Sequence, residues 1–203
     1  MKLYVSILVI SVIFSVSSFG QTDSVAVKKT ELSSVDLSTG RNALSNGISL
    51  DFYLKSGNAN TQITIRQDRV FFNHLYSLPR LRISIGPSAG YFQNIPFGGI
   101  IGRLSPFKFF STLHWVGYSF GEPNGKMNIE PSSLFVVNSA SINAWRLRGS
   151  YSVVKLMELP AKHVASIYYQ HQMAKNFAVY TDVGYDLVNK EQLLKFGVIW
   201  KQK

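Results

Sequence analysis

The sequence of 203 residues contains no cysteine. Disulfide bridges are therefore excluded, and so is a lipid anchor attached through an N-terminal cysteine. Charged residues make up only 16% of the chain, whereas about one quarter is usual in soluble domains. After residue 20, no apolar run approaches the roughly eighteen residues that a membrane-spanning helix needs. These absences argue against a disulfide-rich domain and exclude a helical membrane protein.

The first 20 residues have the three regions of a secretory signal peptide. Lys2 supplies the positive charge, residues 4–14 form an apolar run, and residues 15–20 make a more polar tail. As a helix the apolar run would span about 16 Å, roughly half the hydrocarbon thickness of a bilayer, so it suits export better than anchoring. Ser18 and Gly20 place small side chains where signal peptidase requires them. We predict a signal peptide at 1–20 that is cleaved after Gly20.

The mature chain is basic and aromatic. The full sequence has a net charge of +10, and removing Lys2 with the signal leaves 20 − 11 = +9. The lysines and arginines are scattered singly, and an exported protein does not meet the genome, so we predict no nucleic-acid partner. Anionic head groups of membrane lipids or acidic solutes are the expected partners of this charge. The sequence indicates no cofactor and no metal site.

The pattern of apolar and polar residues changes at residue 47. Residues 21–46 are polar, with isolated apolar residues, and we predict an exposed leader there. From residue 47 onward, apolar and polar residues alternate, which in a strand sends successive side chains to opposite faces. In the first strand, Leu50 and Phe52 fall on one face and Asp51 and Lys55 on the other.

The alternation and the turn signals predict an all-β fold of about eight strands, with ten possible. Residues 48–55 and 62–66 form a hairpin around the turn-rich sequence between them, and Gly86-Pro87 breaks or kinks a later strand. The glycine-rich segment between Pro96 and Pro106 allows sharp curvature or a close approach of the backbone. The predicted strands are 48–55, 62–66, 80–85, 108–120, 134–157 as one strand or two, 164–171, 177–187 and 193–200.

Two features favour a closed barrel over a soluble sandwich. Several segments have the 9 to 11 residues or so that a tilted strand needs to cross a membrane. The aromatic content of 13% suits the aromatic girdles of a membrane barrel. We therefore predict that residues 47–203 form an antiparallel, up-and-down transmembrane β-barrel. On its last strand, one face carries Leu194, Phe196, Val198 and Trp200, and the other carries Lys195, Gly197 and Lys201.

The closing stretch, residues 176–185 followed by 194–200, resembles the terminal hairpin of small bacterial outer-membrane β-barrel proteins. The resemblance covers the region from about 47 to 203. It implies a porin-like cell-envelope protein in the bacterial outer membrane, surrounded by outer-membrane lipids. It also implies that the assembly machinery of that membrane reads the last strand, on which Trp200 is the matching aromatic residue. Three residues follow Trp200 here.

The polar faces of the strands are the best candidates for a functional site. In lipid these faces must point inward, where they form either a basic, anion-binding pore or a salt-bridged plug, and a barrel of eight strands favours the plug. The predicted lumen-facing residues are Asp51, Lys55, Arg66, Arg80, Arg82, Asp182, Lys195 and Lys201. The predicted lipid-facing residues are Leu50, Phe52, Leu194, Phe196, Val198 and Trp200.

One string matches an enzyme motif. Residues 117–121 have the G-x-S-x-G form of a nucleophile elbow around Ser119, but the loop sequence after them shows no helical pattern. A hydrolase or acyltransferase would more plausibly use Ser166, His171 and Asp182 on two consecutive strands. We predict no catalytic residue and a non-enzymatic barrel with a structural, surface-interaction or small-solute role. The alternatives are a barrel-embedded lipid-modifying enzyme and a soluble periplasmic lipid carrier.

Overall fold

A computed structural model describes residues 29–43, 46–92, 95–121, 133–155 and 160–202. The predicted signal peptide lies outside these residues. The described chain forms twelve antiparallel strands, each paired with its neighbours in sequence, and the pairing of the first with the last closes the barrel. The strands are β1 (Glu31–Gly40), β2 (Ser49–Ser56), β3 (Ala59–Arg66), β4 (Arg69–Leu78), β5 (Ile83–Phe92), β6 (Ile95–Phe107), β7 (Phe110–Ser119), β8 (Ser133–Ala144), β9 (Leu147–Lys155), β10 (Lys162–Ala174), β11 (Phe177–Asp186) and β12 (Glu191–Lys201).

The predicted all-β, antiparallel, closed barrel is confirmed, but the predicted count of about eight strands is wrong. β4 was not predicted, because apolar residues occupy both of its faces near its start. The run Val70-Phe71-Phe72 therefore shows no period of two in hydrophobicity. β6 was not predicted, because its glycines are residues typical of bends. Residues 134–157, left open as one strand or two, hold two strands: β8, which begins one residue earlier at Ser133, and β9.

The barrel begins earlier than the sequence analysis predicted. β1 lies inside the segment interpreted as a polar leader, and it pairs with β12 on one side and β2 on the other. Val35 and Leu37 are its outward apolar residues, and Asp36 lies between them facing inward, so the alternation is present but short. The barrel therefore extends from residue 31, and not only from residue 47.

The predicted break at Gly86-Pro87 does not end a strand. Asn73 pairs with Ser88 and Tyr76 pairs with Ile85 in one unchanged register, so β5 runs past the proline while the pairing is interrupted beside it. Proline lacks the N–H that a ladder hydrogen bond requires. A side chain on Gly86 would collide with the backbone carbonyl of His74, so this position of β5 requires glycine.

The barrel is inside-out compared with a soluble protein. On β12, Lys195 is buried with 7% of its surface exposed, whereas the adjacent Phe196 is 51% exposed. The same contrast separates buried Ser119 from exposed Tyr118 on β7. Polar side chains thus face the lumen and apolar ones face the surroundings of the barrel, which is the pattern of strands in lipid. Among the described residues, no helix is long and apolar enough to span a membrane.

The two ends of the barrel differ in their connections. At the end where β1 begins and β12 ends, five short turns join the strands, and we call this the turn end. These turns are residues 57–58, 79–82, 108–109, 145–146 and 175–176. The opposite end, the loop end, has six connections, of which the longest covers residues 120–132.

Candidate functional site: the lumen and its two walls

One arc of the lumen is lined by large apolar side chains, which we call the apolar wall. Its rings pack edge to face: Phe71 and Trp115 have centroids 5.1 Å apart, and Trp115 and Phe135 have centroids 5.0 Å apart. Edge-to-face contacts of this kind add to the stability that burial provides. The apolar wall consists of Phe71, Phe92, Phe97, Ile101, Trp115, Phe135, Val137 and Val154, contributed by β4 to β9.

Glycines make room for these rings. Gly90 pairs with Phe97 across β5 and β6, and Gly117 pairs with Phe135 across β7 and β8. A methyl group built on either glycine would touch or overlap the ring of its partner. Each ring therefore lies over a bare stretch of backbone, which explains why this part of the sequence is rich in both glycine and phenylalanine.

Towards the turn end, the same arc is lined by serine pairs. Ser77 and Ser84 have their hydroxyl oxygens 3.0 Å apart, and those of Ser111 and Ser141 are 2.9 Å apart. Further round the barrel, Ser152 donates to Ser139 over 2.9 Å, and the hydroxyls of Ser150 and Ser166 lie 2.8 Å apart. Small hydroxyl side chains thus replace the large rings, so the lining of the lumen is less bulky and more polar at this end.

The opposite arc, on β1 to β3 and β9 to β12, is the polar wall. It borders a cavity of about 370 Å³ inside the barrel. Carboxylates, guanidinium groups, amines and phenols all reach this cavity. The polar wall consists of Asp36, Asp51, Tyr53, Gln62, Arg66, Arg148, Tyr168, Tyr180, Asp182, Lys195 and Lys201.

Asp51 is held by three neutral donors. Its carboxylate accepts hydrogen bonds from Ser49 over 2.9 Å, from Gln62 over 3.2 Å and from the hydroxyl of Thr64. Asp51 is only 3% exposed, and a buried polar group costs free energy unless hydrogen bonds satisfy it. Arg66 donates through Nε to Ser49 over 3.1 Å, which joins the guanidinium to the same network.

A second group of polar-wall residues is built around two tyrosines. Tyr180 donates to both carboxylate oxygens of Asp36, over 3.0 and 3.1 Å. Its ring lies 5.0 Å from that of Tyr168, and the guanidinium of Arg148 lies 4.5 Å above the Tyr168 ring. The Lys195 ammonium lies 5.9 Å from the Tyr180 ring. Cations here rest on aromatic faces, an arrangement that attracts them without neutralising their charge.

The polar wall opens to the turn end through a second cavity of about 400 Å³. Arg146, Gln170 and Gln172 line this mouth together with Arg148 and Tyr168. The last two residues also line the inner cavity, so the two spaces adjoin.

A charged pair ties the loop end of β4 to the apolar wall. Arg69 donates through Nε to Asp68 over 2.8 Å, and its guanidinium lies 4.3 Å above the ring of Phe92. Burial opposes ionisation of the Asp68 carboxyl, but the hydrogen bond from Arg69 and its positive charge outweigh this effect. The pKa of Asp68 is therefore lower than its ordinary value.

The structure separates the predicted lumen residues into two groups. Five of the eight border the inner cavity, namely Asp51, Arg66, Asp182, Lys195 and Lys201. Lys55 is exposed near the end of β2, and Arg80 and Arg82 lie exposed in the turn between β4 and β5. Arg82 donates to the carbonyl of Pro106 from that turn.

The predicted lipid-facing residues lie on strand faces opposite the lumen. Leu194, Phe196 and Trp200 are exposed on β12, and Val198 between them is half-buried. Leu50 and Phe52 are half-buried on β2, where they pair with Leu37 and Val35 of β1.

Only two of the three candidate catalytic residues come together: the side chain of Ser166 hydrogen-bonds that of Asp182, and His171 is apart from both. Ser166 and Asp182 are on the lumen side of β10 and β11, whereas His171 is on the outer side and its Nδ1 lies 3.3 Å from Arg146. Ser119 is the last residue of β7, and its hydroxyl donates to the backbone carbonyl of Ser133 over 3.3 Å. The loop at 122–125 that follows the motif lies outside the described residues.

Sequence reasoning missed several members of both walls. Asp36 lay in the supposed leader, although its position between Val35 and Leu37 was a usable signal. Arg148 and Tyr168 alternate regularly with outward residues and could have been assigned to the lumen. The inward rings of the apolar wall could not, because apolar residues flank them on the outer face as well.

A closed antiparallel ring of strands with an apolar exterior and a polar passage is the fold of outer-membrane β-barrels. Among solved structures, the chain is similar to two of that class: "KdgM porin in complex with disordered oligogalacturonate", at 13% identity, and "KdgM porin", at 12%. Each comparison has a TM-score of 0.55 and covers 84% of this chain and 99% of the other. No protein-family model and no curated protein matches the chain. The predicted resemblance to outer-membrane barrels is thus confirmed at the level of fold.

Proposed function

We propose that the protein is a non-enzymatic, porin-like barrel of the bacterial outer membrane that passes small anionic solutes along its polar wall. The observation that carries this proposal is the pair of adjoining cavities that share Arg148 and Tyr168. Together they make a polar path from the turn end into the barrel, past the cations Lys195 and Lys201.

The cations of the polar wall outnumber its carboxylates by one. Arg66, Arg148, Lys195 and Lys201 face the same cavity as Asp36, Asp51 and Asp182. Cations in a narrow, partly dehydrated cleft raise the local concentration of anions. The polar wall therefore favours an anion over a cation of the same size.

The similar solved structures also favour an anionic solute. One of the KdgM porin structures is a complex with oligogalacturonate, which is an anion. At 13% identity this similarity shows a shared fold, so the solute of the present protein is a proposal that rests on its own polar wall.

The arrangement of faces favours this proposal over the two alternatives. A soluble lipid carrier would turn its alternating apolar residues inward, whereas Phe196, Val116 and Ile167 are about half exposed on the outside. A lipid-modifying enzyme would need its serine, histidine and carboxylate on one side of the wall, and His171 faces away from Ser166. The proposal also retains export by a signal peptide at 1–20 with cleavage after Gly20.

Ion selectivity in a planar lipid bilayer tests the proposal. The signal-free protein is refolded, its folding is checked by anomalous gel migration before boiling, and the reversal potential is measured across a gradient of KCl. We expect chloride to be preferred. The double variant Arg148→Glu, Lys195→Glu should lower the ratio of chloride to potassium permeability about tenfold, the lower end of the effect of a charged cleft.

A matched variant controls for total charge. Lys155→Glu, Lys190→Glu makes the same change of charge at the loop end, where neither residue lines the cavity, and it should leave the ratio nearly unchanged. A folded, inserted barrel that conducts no ions, or that prefers potassium, would contradict the proposal. Equal effects of the two double variants would also contradict it, because they would show that the polar wall has no special part.

A further inference from the structure

The turns of the turn end repeat one chemical pattern. In three of them a cation is adjacent to a large apolar residue: Arg80 and Arg82 flank Leu81, Lys108 precedes Phe109, and Trp145 precedes Arg146. In a fourth, Lys175 lies two residues before Phe177, the first residue of β11. None of the residues in the five turns, all of which the structure describes, is acidic. We call these four turns the basic rim.

The apolar members of the basic rim are strongly exposed. Leu81 is 63% exposed, Phe109 is 56% exposed and Trp145 is 89% exposed. Phe109 stacks on Phe107 with ring centroids 5.4 Å apart, and the Arg146 guanidinium lies 5.0 Å from the ring of Trp145. Aromatic rings with adjacent cations are the side chains that settle at the boundary between acyl chains and head groups.

The backbone conformation at Trp145 is further evidence that the large side chains of the basic rim have a role. Its φ angle is +55°, a left-handed conformation in which glycine or asparagine is usual and a bulky side chain is unfavourable. Arg82 adopts the same conformation with φ of +55°. These two turns therefore keep large amphipathic side chains at positions where a small residue would fit the backbone better.

The loop end does not share the pattern. Its connections carry Arg41, Lys126 and Lys190 as cations, against the acidic residues Asp68, Glu122, Glu130 and Glu158. Arg41 is also in an ion pair with Glu191, 2.6 Å away. Among the connections between strands, cations thus outnumber acidic residues only at the turn end, where they lie next to exposed rings.

We infer that the basic rim binds the head groups of anionic phospholipids in the leaflet that surrounds the turn end. This inference rests on the proposed membrane location but not on the passage of solutes. The cations lie in or beside the same turns as the exposed rings, so a lipid phosphate can reach them when its acyl chains cover Leu81, Phe109 and Trp145. A soluble anion would gain the charge contact but not the apolar one.

Fluorescence quenching at Trp145 tests the inference. The chain has three tryptophans, so the variant Trp115→Phe, Trp200→Phe leaves Trp145 as the sole reporter. The barrel is inserted into phosphatidylcholine vesicles that contain a minor fraction of brominated phosphatidylglycerol or of brominated phosphatidylcholine. We expect the brominated phosphatidylglycerol to be enriched about fivefold at Trp145, the effect of about one cation at an anionic surface, and to lose this enrichment in high salt.

Neutralising the rim should abolish the enrichment. Lys108→Gln, Arg146→Gln, Lys175→Gln removes the cations of the Trp145 turn and of the turns on either side, and quenching by the two lipids should become equal. The control Lys155→Gln, Lys162→Gln, Lys190→Gln removes as many cations from the loop half and should leave the enrichment unchanged. If the reporter variant does not fold, the fraction of motionally restricted spin-labelled phosphatidylglycerol is compared among the wild type and the two triple variants.

Three outcomes would overturn the inference: equal quenching by the two lipids in the reporter variant, an enrichment that survives the rim substitutions, or its loss when inorganic phosphate is added at matched ionic strength. The last result would assign the rim to soluble anions. Failure of the barrel to enter vesicles would instead contradict the proposed membrane location, so the two failures are distinguishable.

Discussion

The two walls of the lumen face each other but are stabilised by different forces. The apolar wall consists of rings that pack edge to face, such as Trp115 against Phe135 with centroids 5.0 Å apart. The polar wall consists of charges held by hydrogen bonds, such as Asp36 against the Tyr180 hydroxyl at 3.0 Å. A ring of twelve strands is wide enough to enclose a passage, and the apolar wall fills one side of it. The difference places the proposed path off the barrel axis, along β1 to β3 and β9 to β12.

Removing a large ring from the apolar wall should have the largest effect. Trp115 is 4% exposed and contacts three other rings of the wall. Trp115→Ala should lower the free energy of unfolding by about 3–5 kcal/mol and raise the single-channel conductance, because the ring both stabilises the wall and narrows the lumen. Urea unfolding in lipid vesicles and bilayer recordings measure the two effects.

The matched control is Tyr118→Ala, on the outer face of the same strand. It should leave the conductance unchanged, because Tyr118 faces away from the lumen. If Trp115→Ala lowered the unfolding free energy by less than about 1 kcal/mol, the apolar wall would not be the main packed core of the barrel.

Glycines opposite rings allow a direct comparison of the walls. A methyl group at Gly117 would overlap the Phe135 ring in the apolar wall, and one at Gly197 would overlap the Tyr180 ring in the polar wall. Gly117→Ala should lower the free energy of unfolding by about 1–3 kcal/mol, because neighbouring rings enclose Phe135. Gly197→Ala should cost less, since Tyr180 borders a cavity into which it can move.

Gly149→Ala is the control for both changes, because nothing lies within 4 Å of the added methyl group. Unfolding curves of the three variants in the same vesicles rank the costs. A larger loss for Gly197→Ala than for Gly117→Ala would show that the polar wall is the more tightly packed of the two.

Removing one hydroxyl from the polar wall should have the smallest effect on stability. Tyr180→Phe deletes the donor to Asp36 but keeps the ring. The free energy of unfolding should fall by about 1 kcal/mol, because water in the cavity can replace part of the lost hydrogen bond. The same urea experiment measures the change, with Tyr185→Phe on the outer face of β11 as the control. A loss as large as that of Trp115→Ala would contradict the contrast between the walls.

The contrast also explains which parts of the fold the sequence reveals. On β12 and β2, polar inward residues alternate with apolar outward ones, a local pattern from which both strands were predicted. On β4, Phe71 faces inward and Phe72 outward, so an apolar run hides the strand. On β6, glycines that accommodate rings from neighbouring strands resemble a bend. The sequence therefore pointed to part of the polar wall, whereas it did not reveal the apolar wall.

The sequence by itself determined that the chain is built of strands with one apolar and one polar face, because a period of two in hydrophobicity is a local property of each strand. It also determined the basic character of the whole chain and the lack of disulfides. Only the tertiary structure decided that twelve strands close the ring, that β1 belongs to it, and that Arg148, Tyr168 and Lys195 meet around one cavity. Closure and the meeting of distant residues depend on which strands pair across the whole chain, and no local pattern encodes that pairing.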